Sequence, residues 1–142
     1  MTRAEKINYL SGYRWAVENV KMLSERLVTL NSKLYNVDSP VITDMPKGGL
    51  GIDTIDLLSD KLNIEQELLE RLEFGLDMKS EVIGVIRTVR DPKLRLILEM
   101  KYLDFMSIGE IASRLGYSSN HISRLHNEAI DTLGGLEEQM AS

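Results

Sequence analysis

The stretch from Ser107 to Ala129, SIGEIASRLGYSSNHISRLHNEA, constrains this chain more than any other segment. Ser107 followed three residues later by Glu110 is the pattern of a reciprocal capping box, in which each side chain satisfies the other residue's backbone N–H. Ile108, Ile111, Ala112 and Leu115 then fall on one face of a short helix. Ala112 is small where a second helix must cross closely. Gly116 follows the last apolar position, where a left-handed residue is expected and glycine takes that conformation at least cost. Tyr117 packs the turn, Ser118 or Ser119 caps the next helix, and Ile122, Leu125 and Ala129 face inward.

Two short helices joined by a tight turn in this pattern are a helix-turn-helix. The residues left outward, or at the tip of the second helix, are Ser118, Ser119, Asn120, His121, Ser123, Arg124 and Asn127. No acid interrupts them before Glu128, whereas a helix face shaped only for solubility carries more Glu and Lys. Arginine can hold a guanine edge bidentately and asparagine an adenine edge. These seven residues are the candidate contacts to double-stranded DNA. Helix-turn-helix folds also dock proteins, which is the competing use of the same surface.

Formal charge bears on that choice. The 142 residues carry a net charge of −5, yet residues 87–133 hold seven basic and six acidic groups, a net of +1. The negative charge lies elsewhere, −4 over residues 1–86 and −2 from Glu137 and Glu138. A surface with +1 is modest for phosphate binding. One such module should hold DNA weakly, so affinity has to come from self-association or from a partner already on DNA.

Upstream, apolar residues recur in steps of three and four at Ile7, Leu10, Tyr13, Val17, Val20, Leu23, Leu27, Leu30 and Leu34. That predicts one helix of about nine turns from Thr2 to Tyr35. Asn36–Ile52 holds two prolines and three glycines and reads as a flexible loop. Periodicity resumes from Asp53 to Val89 through Leu58, Leu62, Leu69, Leu72, Leu76, Ile83 and Ile86, with weak spots at Asn63 and Gly75 that allow one helix or two. Asp91-Pro92 then opens a helix through Leu94, Ile97, Leu98 and Tyr102, since Asp caps and Pro suits the first helical position. The expected fold is all-α. A long, coiled-coil-like helical hairpin and oligomerisation region occupies residues 1–90, the DNA-binding domain 91–136, and an acidic tail 137–142. A two-helix hairpin cannot hide such stripes on both helices, so either the C-terminal domain covers the remainder or a second subunit does, and stripes this long favour a dimer or tetramer.

Other chemistry finds no support. The chain has no cysteine, which excludes disulfides, thiolate metal sites and a cysteine nucleophile. His121 and His126 lie roughly 140° apart around one helix and cannot share a metal as an i, i+4 pair does. His121 reads as pointing at phosphate and His126 as a surface or boundary residue. Tyr13 and Trp15 read as core or interface anchors, and the carboxylates as solvated helix faces. KGGLG, Lys47 to Gly51, lacks the spacing and trailing Lys-Ser/Thr of a phosphate loop. No enzyme activity, cofactor or metal is expected. No apolar run reaches membrane-spanning length, and the expected location is the cytoplasm.

The segment Leu94–Leu133 resembles region four of sigma factors, the module that reads the −35 promoter element, through LRLILEMKYLDFMS, IGEIASRLGYS and ISRLHNEAIDTL. The chain as a whole is similar to phage-encoded regulators of the ArpU and RinA type, which control late or packaging genes. No segment resembles the sigma region that melts promoter DNA. What the resemblance implies is a DNA-binding activator or accessory factor, with RNA polymerase as a second candidate partner. The rival reading is a small-terminase-type packaging protein, although those place the DNA-binding motif first and here it is last.

Overall fold

The computed structural model of the chain describes residues 1–37 and 52–134. Six helices follow in order: α1 (Arg3–Leu10), α2 (Gly12–Val37), α3 (Ile52–Ile86), α4 (Pro92–Tyr102), α5 (Ile108–Leu115) and α6 (Ser119–Asp131). The described residues contain no strand. The fold is all-α, as the periodicity predicts. The loop expected over 36–52 and the acidic tail lie almost wholly outside the described residues.

The single N-terminal helix is instead two, separated by the turn residue Ser11. The Ser11 hydroxyl donates to the Ile7 carbonyl at 2.8 Å, the kind of back-bond that competes with a regular helical ladder, and Gly12 follows it. Conversely, α3 runs unbroken through both Asn63 and Gly75. Gly75 lies where α2 crosses closely: a Cβ there would stand 3.8 Å from the Ala16 Cβ. A Cβ on Gly12 would come within 2.5 Å of Met78 Cε, so α2 begins beside the end of α3 and the two run antiparallel.

The chain forms two compact units, Met1–Ala16 with Gly75–Ser142, and Val17–Phe74. The first is wider than residues 91–136, because α1 and the end of α3 belong to it. Its main core joins Leu10 of α1, Val82, Val85 and Ile86 of α3, Leu94, Leu98 and Tyr102 of α4, and Ala129 and Ile130 of α6. A second cluster, Ile97, Met100, Ile111, Ala112 and Ile122, fills the angle between α4, α5 and α6. Leu125 packs against both clusters. Two contacts tie α1 down. Arg3 grips Asp131 with two N–H donors, at 3.0 and 2.7 Å, and the Tyr9 hydroxyl donates to Glu81 at 3.2 Å. Burial, reinforced by Glu81, pushes the Tyr9 hydroxyl up to about 12.

The second unit is a segment of the α2–α3 pair. On α2 the covered positions Val20, Leu23, Leu27, Leu30 and Leu34 alternate in steps of three and four. On α3 the matching set is Leu57, Lys61, Ile64 and Leu68. The α3 leucines singled out by sequence periodicity lie elsewhere: Leu58, Leu62, Leu69, Leu72 and Leu76 are all exposed. α3 thus carries two apolar stripes, and α2 takes the one that includes Gly75, where the backbones can approach. Trp15, expected as an anchor, is 65% exposed, whereas Tyr13 packs on the core and meets the Phe105 ring at 5.4 Å.

Candidate nucleic-acid interface

The interface is built outward from α4. Asp91 caps that helix, accepting from the N–H groups of Lys93 at 2.8 Å and Leu94 at 3.4 Å, with Pro92 at the first position. Arg95 reaches back to the carbonyls of Val89 and Arg90, satisfying acceptors where α3 gives way to α4. α4 ends at Tyr102, and Phe105 in the following loop holds a left-handed φ of 60°. For a bulky residue that backbone costs on the order of 1–3 kcal/mol. The Tyr13 ring contact helps to hold it.

Ser107 and Glu110 form the reciprocal capping box on α5, at 3.1 and 3.3 Å. Ile111 and Ala112 are buried beneath α6. Gly116 adopts φ 77°, and its N–H and that of Tyr117 both bond to the Ala112 carbonyl. A side chain at Gly116 meets no atoms, so the demand there is conformational and not spatial. Of the two serines that could cap α6, Ser118 does so, its hydroxyl accepting from the His121 N–H at 3.1 Å.

The seven candidate contacts do not stand alike. Asn120, Ser123, Arg124 and Asn127 share one face of α6, opposite buried Ile122 and Ala129, at 100° per residue. Asn120 and Arg124 are exposed, and Ser123 and Asn127 are half-buried. Ser118 and Ser119 are exposed at the tip, but the Ser118 hydroxyl already serves the cap. His121 is half-buried against Tyr117, ring centroids 4.9 Å apart, edge to face.

His126 departs from expectation. It is buried at 6% exposure, with its Nε2 2.6 Å from the Tyr102 hydroxyl and its Nδ1 3.4 Å from Asn127 Oδ1. The carboxamide oxygen can only accept, so the proton sits on Nδ1 and Nε2 accepts from Tyr102. Burial lowers the pKa of His126, against the Asn127 hydrogen bond and with the help of Lys101 and Arg3. Burial also drives the Tyr102 hydroxyl above its ordinary range. His126 is therefore a neutral bolt between α4 and α6, and it commits the oxygen of Asn127. The amide nitrogen of Asn127 remains for an outside acceptor.

One residue escaped the sequence reading. Lys93 lies in the first turn of α4, where the helix dipole disfavours a cation, and its ammonium sits 5.3 Å from the Tyr117 ring. Lys93, Tyr117 and His121 line one rim beside the tip of α6. The clue was available, because a lysine next to an N-terminal cap works against its own helix. Among the described residues, no cluster of three or more His, Cys, Asp or Glu could hold a metal ion. No described helix is long and apolar enough to cross a membrane.

Residues 91–133 match the family Sigma-70, region 4. Those residues, α4 to α6, are a helix-turn-helix DNA-binding domain of that class, a regulatory and not a catalytic module. No curated protein and no solved structure matches the chain.

Proposed function

We propose that this protein is a transcription regulator that lays α6 in the major groove of promoter DNA. The observation that carries the reading is the face of α6: Asn120 and Arg124 exposed together, with no acid between them, on the second helix of a helix-turn-helix, the one such motifs place in the major groove. Arg124 and Asn120 contact base edges, while Ser119, His121 and Lys93 approach phosphates around the helix tip, where free N–H groups favour anions. The chain acts as a cytoplasmic, non-enzymatic, phage- or prophage-type activator of late genes, with host RNA polymerase as a second partner. It works as an oligomer, because a domain of net charge +1 gains affinity from being presented in pairs.

Selection of bound DNA from a random pool, followed by titration of the selected site, is the test. Arg124→Ala is expected to weaken binding by about 1–3 kcal/mol and to relax preference at one base position. Unchanged affinity and preference in a folded variant would remove α6 as the reading helix and leave protein docking as the use of this surface.

A further inference from the structure

The second unit holds an apolar face that its own two helices leave open. With the seam positions of the α2–α3 pair lettered a and d in heptads, Leu27 and Leu34 fall at a, and Leu23 and Leu30 at d. On α3, Lys61 and Leu68 fall at a, and Leu57 and Ile64 at d. Ile55, Leu62 and Leu69 then occupy b, while Leu58 and Leu72 occupy e, all exposed. These five form a second stripe with the same alternation of three and four, interrupted only by Glu65.

Antiparallel helices bring their e flanks to one side and their g flanks to the other. The g side is a shallow groove of about 360 Å³ between Arg26 and Lys33, floored by Leu30 and Ile64. On the e side α2 adds Val28, 65% exposed, and Tyr35, 70% exposed. Asn31 lies there too, and its amide oxygen is shut off from water with no hydrogen-bond partner.

We infer that this face is covered by the same face of a second copy of the chain, packing α3 on α3 about a twofold axis to make a four-helix bundle. The inference rests on the self-association read above and names its surface. The heptad spacing suits a helical occupant with a matching repeat along residues 55–72. α3 itself offers one. Seven large side chains, 39–70% exposed, lie along this face, a patch of the extent that one side of a standard interface of ~800 Å² per partner calls for. Charge permits the approach on this side. Asp56, Asp60, Glu67 and Glu70 stand at c and g, away from the stripe, whereas its outer flank carries Ser59 and Gln66. Glu65 is the one acid inside the stripe, and it limits the affinity.

Sedimentation velocity and native mass spectrometry of the full chain at micromolar concentration test this, with circular dichroism as the check on folding. The wild type is expected as a dimer or a pair of dimers. The double variant Leu62→Glu/Leu69→Glu is expected to run as a 16.1 kDa monomer with its helix content kept. Glu65→Leu should tighten association by at least about tenfold, as a leucine replaces a charge at the seam. Met22→Glu, on the groove side, should leave it unchanged. A monomeric wild type would overturn both self-association and this surface. An oligomer indifferent to Leu62→Glu/Leu69→Glu but broken by Met22→Glu would keep self-association and overturn the surface. Should the double variant lose helix, Glu65→Leu alone decides: no tightening sinks the inference.

Discussion

The two units of this chain solve the burial problem to different degrees. Around the helix-turn-helix, Leu10, Val82, Val85, Ile97, Leu98, Ile111, Ile122 and Ile130 are fully enclosed, and buried His126 has partners on both ring nitrogens. Among the described residues of Val17–Phe74, only Leu23 and Leu30 are buried, large apolar side chains face outward along α3, and Asn31 keeps an orphaned oxygen. Six helical segments converging from several directions can close a core. Two antiparallel helices cannot, because each keeps roughly half its circumference in water. Among the described residues, the first unit encloses its large apolar side chains and the second leaves many of its own exposed.

Core truncation should expose that difference most strongly. Ile97→Ala, in the fully buried cluster beneath α5 and α6, is expected to cost about 2–5 kcal/mol in urea unfolding, from lost burial plus the cavity left behind. Leu69→Ala, the same loss of side-chain bulk on the exposed stripe of α3, should change monomer stability by less than about 0.5 kcal/mol while weakening association. Equal costs at the two sites would erase the distinction between the units.

The buried polar bolt offers the next test. Tyr102→Phe removes the only donor to His126 Nε2 and should cost about 1–3 kcal/mol, since the ring nitrogen stays buried without a partner. The pH dependence has a definite sign. His126 titrates near 6.5 when unfolded and lower when folded, so the unfolded state takes up the proton first. Stability is therefore full above about pH 6.5 and falls as pH drops below it. His126→Gln should flatten that decline, measured as denaturation midpoint against pH. A wild type equally stable at pH 7 and pH 5 would show that the ring is not held neutral.

Ser118→Ala comes last. Losing the cap should cost roughly 1 kcal/mol of stability, with Ser119→Ala near zero. The reverse order would mean that α6 starts one residue later than the structure places it.

The helix-turn-helix was legible because its determinants are local. The capping box, the left-handed glycine and the inward Ile111, Ala112 and Ile122 are all fixed by spacing within about twenty residues of sequence. Where local rules were degenerate, the reading stopped short. Ser118 and Ser119 are adjacent and chemically identical, and only geometry separates cap from first residue. α3 presents two stripes with the same alternation, and periodicity cannot say which one α2 will take. His126 and Tyr102 are 24 residues apart, and the packing of α1 on α6 joins positions separated by 128. No local pattern announces either. Of the seven candidate contacts, Asn120, Ser123, Arg124 and Asn127 come together on one face, while Ser118 and His121 are partly occupied within the fold.

The near-contact of Ala16 with Gly75 also bears on how this chain can be taken apart. The two strands of polypeptide that join the units leave the first one side by side, with 3.8 Å separating the Ala16 Cβ from the place a Gly75 Cβ would hold. A gap that small is spanned by the two- to five-residue loops that close ordinary helical hairpins. Val17–Phe74 is thus an excursion that can be cut out and its ends sewn together, whereas the sigma-like segment 91–133 cannot be cut free without stripping away Leu10, Val82, Val85 and Ile86 from its base. This packing predicts that the smallest piece able to fold alone is discontinuous in sequence: Met1–Ala16, a short splice, and the residues from Gly75 to Gly134.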